Sequence, residues 1–334
     1  MLNRKLAAVL AGAAALASCT AFATTKEEED AAWKKEPAYG REINVGYNGG
    51  LCLGTPAIAD LKGFYAEEGL KVKITRMTKD VDAIGTGKVD VVSGHIAKFI
   101  IPTVNGVRMK FVTGVQTGCK SLYVLAKGNI KSTKDLIGKT VAVPNGIGDS
   151  DQNIAMRFFS RDGISPFRDI KWKVVEAGVS IMALQNGEIE AALLEDQFAR
   201  RFLDDGTLRI VRSLTYDDDF KNETCCVHAV NLDFYNENPI TVKKLTRAHE
   251  KASQWILDNI DESVRLLIDH KYVTGDFDLV RSIQKTFNYG ISDEATEETL
   301  RHIIRDYQSF GILDPSLDPE EVLKKIWDPV LLHD

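Results

Sequence analysis

The sequence predicts an α/β fold of two lobes, and two observations carry this prediction. The first is the segment Ile43 to Ile74, which has the pattern strand, glycine-rich loop, helix, strand. The second is a repeat of that pattern about one hundred residues later. Lys171 to Val174 matches Lys71 to Ile74. Gly187 to Ala192 likewise matches Gly87 to Val92. Repeated units in the same order indicate two α/β lobes built on one plan.

The first unit places a glycine-rich loop between a strand and a helix. Apolar and polar residues alternate over 43–47, as expected for a half-buried strand. The loop 48–54 contains three glycines, which let backbone N–H groups approach a ligand closely. Thr55 is the predicted N-cap of the following helix, and Gly69 is placed to end it.

The second unit repeats these parts. Lys139 to Pro144 is predicted to be a strand, and the loop Asn145 to Asp151 leads into a helix from Gln152. That helix reaches Gly163, which corresponds to the glycine that ends the first unit's helix. The loop offers free N–H donors at the start of its helix, which favours contact with a ligand.

The remaining segments join and complete the two lobes. Gln116 to Lys120 is predicted to cross from the first lobe to the second, and the extended segment Thr224 to Asn231 to return. Beyond Pro239 the apolar spacing predicts helices that pack on the sheet of the first lobe. We therefore assign 41–118 and 228–334 to the first lobe and 119–227 to the second.

Length and composition are those of a soluble globular protein with two domains. The chain has 334 residues, of which 44% are hydrophobic and 27% charged. Its formal net charge is −6, and it lacks a basic run. Duplex binding usually needs a basic face, so we predict no nucleic-acid partner.

The N-terminus predicts export. Arg4 and Lys5 precede a short apolar stretch, so 1–18 is predicted to be a signal peptide. Leu16 to Cys19 resembles a bacterial lipobox, in which Cys19 is acylated and holds the protein at a membrane. Cleavage after Ala23 is the alternative. Residues 19–40 are then predicted to form a polar tether.

One segment resembles a known family. Leu61 to Val72 is similar to a segment of the solute-binding proteins of bacterial ABC importers, closest to the branch that binds nitrate, sulfonates, taurine and thiamine-pyrimidine precursors. Gly87 to Asp90 and Asp135 to Lys139 fit the same family. The resemblance implies a type II periplasmic-binding-protein fold, in which two sheets are joined by two crossing strands. It also implies an extracytoplasmic monomer that serves an ABC permease, with no enzymatic activity and no cofactor.

The resemblance and the predicted topology place the ligand between the lobes. In α/β sheets, ligands bind beyond the carboxyl ends of the strands. The predicted ligand-binding residues are Asn48, Gly49, Gly50, Cys52, Thr55, His95, Thr117, Gly118, Cys119, Asn145, Asp149, Ser150, Asp151, Glu195, Gln197 and Cys225. An acidic side chain at the Glu195–Asp196 strand end favours a ligand with an amino group over nitrate. We predict a small polar organic solute, of sulfonate, taurine-like, pyrimidine or amine type.

Four cysteines fall on predicted cleft loops or crossings, and their role stays open. Cys52, Cys119, Cys225 and Cys226 could form a disulfide with buried thiols, or a soft-metal site. The C-x-x-C spacing is absent, so no metal site is predicted. Alternation along a strand predicts that Cys225 and Cys226 point to opposite faces.

An enzyme is the alternative function. Thr224 to His228 resembles in part the cysteine-rich motif of fungal pyrimidine synthases, which are related to this binding-protein fold. Those enzymes use iron and consume their own active-site groups. A signal sequence disagrees with such a biosynthetic role, so we predict a binding protein.

Overall fold

The computed structural model describes residues 26–332. The predicted signal peptide, the predicted acylation at Cys19 and the alternative cleavage after Ala23 concern residues that lie outside the described ones. Ten strands are described, namely β1 (Glu42–Tyr47), β2 (Lys71–Arg76), β3 (Val91–His95), β4 (Met109–Thr117), β5 (Lys120–Leu125), β6 (Thr140–Ala142), β7 (Lys171–Lys173), β8 (Ala191–Glu195), β9 (Leu208–Ser213) and β10 (Thr224–Asn231).

Fourteen α-helices are described between and after these strands. They are α1 (Lys26–Trp33), α2 (Thr55–Leu61), α3 (Phe64–Glu67), α4 (Asp80–Gly85), α5 (Ile96–Val104), α6 (Ser150–Arg161), α7 (Ala177–Gln185), α8 (Asp196–Asp204), α9 (Leu232–Glu237), α10 (Pro239–Asp258), α11 (Ile260–Asp269), α12 (Phe277–Gln284), α13 (Asp293–Ser309) and α14 (Pro319–Ile326). No helix among residues 26–332 is both long and apolar enough to span a membrane.

The strands form two five-stranded sheets of the same design. The first has the order β2-β1-β3-β10-β4 and the second β7-β6-β8-β5-β9. In each sheet the first three strands are parallel and the fourth is antiparallel to its neighbours. Strands β2 and β7 begin at Lys71 and Lys171, so the internal repeat of one hundred residues corresponds to equivalent strands.

The chain crosses between the sheets twice, as expected for the predicted two-lobed fold. Strand β4 ends the first passage through the first sheet, and β5 continues directly into the second sheet. Strand β10 returns to the first sheet, where all its residues are buried between β3 and β4. Helices α10, α13 and α14 then pack on the first lobe. The predicted fold class is confirmed, while the lobe boundaries remain a prediction.

The first helix differs from the prediction at both ends. Gly54 rather than Thr55 is the N-cap, and it makes no side-chain cap hydrogen bond. A helix without a break was expected up to Gly69, but Gly63 adopts a φ of 76° and separates α2 from α3. A left-handed residue cannot continue a right-handed helix, so the chain turns there.

The predicted tether also differs from the structure where it is described. Residues 26–33 form α1, and the Trp33 side chain is buried. The indole Nε1 donates a hydrogen bond to Thr241 Oγ1 at 3.0 Å, and Lys244 Nζ lies 4.3 Å from the ring centroid. The segment 26–33 is therefore part of the first lobe, because one large aromatic side chain buries enough surface to fix it.

Candidate functional site

Loops from both lobes meet around a cavity of about 370 Å³. Its walls follow the carboxyl ends of β1 and β3 in the first sheet, and of β6 and β8 in the second. The lining residues are Asn48, Gly49, Gly50, Cys52, Leu53, Thr78, His95, Lys98, Asn145, Asp149 and Glu195. This is the edge at which α/β sheets bind ligands, because the loops entering the helices present free polar groups there.

The glycine loop after β1 has a conformation that requires glycine. Gly49 and Gly50 have φ values of 90° and 95°, which side chains with a Cβ rarely adopt. The hydroxyl of buried Tyr47 donates to the carbonyl oxygens of Gly50, at 3.1 Å, and Tyr272, at 3.0 Å. The loop is thus held against the α11–α12 connection with its backbone facing the cavity.

A buried polar network supports the first-lobe wall. Asp80 forms an ion pair of 2.5 Å with Lys98 and accepts a hydrogen bond of 2.8 Å from Asn48 Nδ2. These contacts use the amide nitrogen of Asn48 but leave its buried Oδ1 without a hydrogen-bond partner among the described residues. A buried acceptor that lacks a partner costs free energy, so this oxygen is suited to a donor group on a ligand.

The second-lobe wall rests on a fully buried ion pair. Lys120 pairs with Asp151, and Asp151 also accepts hydrogen bonds from the backbone N–H and the side-chain amide of Asn145, at 2.7 and 3.2 Å. Burial opposes the charge of Lys120, but Asp151 outweighs it and raises the pKa of the amine. Asp149 Oδ1 accepts from the N–H and Oγ of Ser150 and caps α6.

A second cavity of about 630 Å³ shares Gly49, Gly50 and Glu195 with the first. Its wall includes three cationic side chains, Arg76, Arg201 and Lys271. Gln197 also lines it and donates to the carbonyl oxygen of Thr274 at 3.1 Å, which joins α8 to the α11–α12 connection. We call this second space the mouth cavity.

Four thiols and one imidazole lie together beside the first cavity. His95 Nδ1 is 3.3 Å from the sulfur atoms of Cys225 and Cys226 and 3.8 Å from that of Cys119. The metal-ligating atoms of Cys52, His95 and Cys226 lie within 4.8 Å of one another, as do those of His95, Cys119 and Cys225. We call these five residues the thiol cluster. Thiolates and imidazole together suit zinc, iron or copper(I).

The cluster corrects a prediction about the return strand. Cys225 and Cys226 were expected to face opposite ways, yet both contact His95. The ladder between β4 and β10 shifts register between Thr224 and Cys226. A β-bulge at this point breaks the alternation of side chains and re-aims one of them. No local sequence signal marks this bulge.

The ionisation of the thiols is uneven. Burial raises the pKa of Cys119 and Cys225. Burial also opposes ionisation of Cys226, but hydrogen bonds with Cys119, Cys225 and Cys52 outweigh it and lower the pKa of this thiol well below its usual value. Of Cys52, Cys119, Cys225 and Cys226, Cys226 is thus the one whose pKa is lowered by its neighbours.

The predicted site residues fall into four groups. Those that line the first cavity are Asn48, Gly49, Gly50, Cys52, His95, Asn145, Asp149 and Glu195. Gln197 lines the mouth cavity, and Cys119 and Cys225 belong to the thiol cluster. Thr55, Thr117, Gly118, Ser150 and Asp151 line neither cavity.

These last five do not line the cavities because other parts of the chain cover them, and their contact with a ligand remains a prediction. Thr55 and Ser150 are fully buried, and Asp151 is engaged by Lys120. Thr117 Oγ1 accepts from the N–H of Asn288 at 3.3 Å, and Gly118 lies against Thr215 and Phe287.

Three residues that line the first cavity were not among the predicted site residues, namely Leu53, Thr78 and Lys98. Leu53 lies within the predicted glycine-rich loop, and Lys98 lies in the first turn of α5, three residues after His95. The rule that ligands bind where strands lead into helices therefore covers both positions. Thr78 follows β2, and nothing in its local sequence singles it out.

Comparison with known proteins gives two kinds of match. A family model described as NMT1/THI5 like matches residues 56–263, which is more than half of the chain. A 4-amino-5-hydroxymethyl-2-methylpyrimidine phosphate synthase of Saccharomyces cerevisiae is 24% identical over 239 residues, covering 64% of this chain and 66% of the yeast protein. The match thus spans slightly less than two thirds of that relative. It overturns the prediction that the chain is not an enzyme.

Solved structures share the fold at low sequence identity. The periplasmic nitrate-binding protein NrtA from Synechocystis PCC 6803 gives a TM-score of 0.71 at 15% identity, with 87% of each chain covered. The alkanesulfonate-binding protein SsuA from Xanthomonas axonopodis pv. citri, bound to MOPS, gives a TM-score of 0.69 at 15% identity. That match covers 87% of this chain and 99% of the other. The likeness confirms the two-lobed fold.

Proposed function

This chain belongs to the NMT1/THI5 like family, and we propose that it captures a small polar molecule of the aminopyrimidine type between its lobes. In this proposal a monomer outside the cytoplasm, held at the membrane through Cys19, delivers the molecule to an ABC permease. The observation that carries the proposal is the 370 Å³ cavity, to which strand ends of both sheets contribute polar groups.

The polar groups of the cavity suit a ligand with N–H donors. Asn48 Oδ1 from the first lobe lacks a partner among the described residues, and Asp149 and Glu195 add carboxylates from the second. The cations are already engaged, because Lys98 pairs with Asp80 and Lys120 with Asp151. A bare anion such as nitrate would therefore meet carboxylates without an unpaired cation in this cavity.

The mouth cavity suits an anionic substituent on the same ligand. Arg76, Arg201 and Lys271 line it, against the carboxylates of Glu195 and Asp276. An aminopyrimidine ring in the first cavity would direct a phosphate or sulfonate group toward these cations. The product named for the yeast synthase, a 4-amino-pyrimidine phosphate, has this combination of groups.

A ligand that touches both lobes favours the closed arrangement. Binding can shift an equilibrium between open and closed forms only through contacts that differ between them. Asn48 and His95 lie on one lobe and Asn145, Asp149 and Glu195 on the other, so these contacts form together only when the lobes meet. The permease would then recognise the closed form.

The test is the replacement Glu195→Gln, which keeps size and removes charge. We expect affinity for 4-amino-5-hydroxymethyl-2-methylpyrimidine, measured by calorimetry, to fall about 10-fold, because a hydrogen bond to a charged group contributes about 1.5–3 kcal/mol. Affinity for an alkanesulfonate should not fall. Glu188→Gln is the matched control, since Glu188 is an exposed glutamate that pairs with Lys173 at 3.6 Å.

Two results would contradict the proposal. One is an unchanged pyrimidine affinity in Glu195→Gln, which would remove this carboxylate from the site. The other is tight binding of an alkanesulfonate together with no binding of the pyrimidine. That second outcome would assign the cleft to sulfonates instead.

A synthase is the second candidate function, and the thiol cluster favours it. The residues fit an iron ion, since Cys52, His95 and Cys226 offer thiolate and imidazole donors within 4.8 Å of one another. Bound iron would supply the redox chemistry that these side chains lack. The protein's part would be to hold the pyrimidine precursor against His95, which lines the same cavity, and to exclude bulk water.

The two candidates are separated by the state of the histidines after reaction. Incubation with iron(II), pyridoxal phosphate and oxygen should leave His95 unmodified if the chain only binds its ligand. Mass spectrometry that finds a modified His95, with buried His228 intact, would favour the synthase. One peptide map can report the state of both histidines.

A further inference from the structure

Two sulfur atoms of the thiol cluster, from different segments of the chain, lie close together. Cys119 Sγ lies 3.0 Å from Cys225 Sγ, whereas Cys225 and Cys226 are 3.9 Å apart. All four described cysteines are free and buried. Cys119 and Cys225 belong to the two segments that cross between the lobes and are 106 residues apart in the chain.

The backbone holds both sulfur atoms in place. Cys119 has a φ of 103°, in the left-handed region that non-glycine residues rarely occupy. Its N–H donates to Thr215 Oγ1 at 2.9 Å, and its carbonyl accepts from the N–H of Asp196 at 2.9 Å. Cys225 sits at the register shift of β10. The left-handed backbone of Cys119 and the bulge at Cys225 therefore direct the two thiols toward each other.

The cysteines around this pair differ in exposure. Cys225 is 7% exposed, against 3% for Cys119 and 0% for Cys226. Thiol–disulfide exchange needs access to the attacking sulfur, so a dissolved disulfide reaches Cys225 first.

We propose that Cys119 and Cys225 are an oxidation site, at which a low-molecular-weight disulfide forms a bond between the two crossing segments. The Cys225 thiolate attacks glutathione disulfide, forms a mixed disulfide and releases one glutathione. The Cys119 thiol then attacks the Cys225 sulfur, and the second glutathione leaves with its proton. The protein loses two hydrogen atoms, and one glutathione disulfide is reduced to two glutathiones.

The bond would change the cleft whichever ligand binds there. It would tie the β4–β5 crossing to β10 at the junction of the lobes. It would also remove two of the four thiols around His95, leaving Cys52 and Cys226. Oxidation would thus limit motion between the lobes and weaken any soft-metal binding by the thiol cluster.

The test is a cysteine map of the full-length protein after incubation with glutathione disulfide. Free thiols are alkylated under denaturing conditions and the peptides are analysed by mass spectrometry. We expect alkylated Cys52 and Cys226, and a linked peptide pair that contains Cys119 and Cys225 and disappears on reduction. The oxidised protein should unfold about 5 °C or more above the reduced protein, because the bond closes a long loop.

Variants and alternative outcomes keep the test decisive. Cys119→Ser and Cys225→Ser should each lose the linked peptide, whereas the matched control Cys52→Ser should keep it. If a variant does not fold, the wild-type map alone decides. Alkylated Cys119 and Cys225 after oxidation, a bond from either one to a different cysteine, or a tightly bound zinc or iron ion that protects the thiols would each overturn the proposal.

Discussion

Two buried histidines show how a single residue sets the response of this fold to pH. His228 and His249 stack with ring centroids 3.9 Å apart, and both are about 1% exposed. Ser93 Oγ lies 2.7 Å from His228 Nδ1, and the Tyr65 hydroxyl 2.6 Å from His249 Nε2. Burial lowers the pKa of His228 to about 3, because a charged imidazole loses its hydration there.

This pair predicts a loss of stability in acid. The unfolded chain protonates His228 near pH 6.5, whereas the folded chain holds it neutral down to about pH 3. The stabilisation is therefore complete above pH 6.5 and is lost as the pH falls toward 3. Between pH 7.5 and 4.5 the loss due to this residue should be about 2 kcal/mol, measured by urea unfolding.

His228→Asn tests this residue, because asparagine can keep a hydrogen bond with Ser93 but does not titrate. The variant should lose about 2 kcal/mol less than the wild type between pH 7.5 and 4.5. His270→Asn, at an exposed position, serves as the control and should follow the wild type. Parallel pH dependence of wild type and His228→Asn would show that His228 is not held neutral.

At the scale of elements, α1 shows how one side chain decides whether a segment belongs to the fold. Helix α1 is strongly polar, and Trp33 is its one buried residue. Trp33 contacts Tyr39 edge to face, at 4.9 Å between centroids, and bonds to Thr241 of α10. Arg247 of α10 adds an ion pair of 2.7 Å to Glu29. The helix is held by tertiary contacts rather than by its own propensity.

Trp33→Ala is expected to destabilise the first lobe by about 3 kcal/mol, the lower end for removal of a buried large aromatic side chain. Trp33→Phe should cost less, about 1 kcal/mol, because it keeps most of the apolar contact and loses the hydrogen bond. Urea unfolding measures both. If Trp33→Ala costs less than about 0.5 kcal/mol, residues 26–33 behave as the tether that the sequence predicts.

At the scale of the whole molecule, ion pairs join the lobes outside the cleft. Arg157 of α6 is almost fully buried and bonds to Glu223 at 2.7 Å and to Asp306 of α13 at 2.8 Å. Arg161 adds a bond of 3.1 Å to Asp306. Asn153 of α6 also donates to the carbonyl of Ala97, at 2.8 Å, across the lobes. These contacts favour the closed arrangement without touching the cavities.

Asp306→Asn should therefore weaken ligand binding from a distance. We expect affinity for the aminopyrimidine to fall about 3- to 10-fold, because ligand contacts must then supply more of the closure free energy. Small-angle scattering of the ligand-free variant should give a larger radius of gyration than wild type. Asp204→Asn is the matched control, since it breaks an exposed ion pair to Arg200 within one helix. Equal affinity in Asp306→Asn and wild type would show that these ion pairs do not contribute to closure of the lobes.

Periodicity and turn residues by themselves determined the order of strands and helices and the internal repeat. The return strand, predicted over 224–231, is β10 with the same bounds, and helices α10 to α14 follow from Pro239 onward, as the apolar spacing predicts. These features depend on patterns of residue type that are local in the sequence. The rule that ligands bind at strand ends then located half of the predicted site residues at the first cavity.

The meeting of distant side chains was decided only by the tertiary structure. The thiol cluster takes Cys52, His95, Cys119 and the Cys225–Cys226 pair from four separate segments, and a bulge turns the last two toward one imidazole. The buried Lys120–Asp151 and Arg157–Asp306 pairs arise in the same way. Spacing along a sequence fixes which face a residue occupies within its own element, but proximity between elements depends on how their surfaces pack.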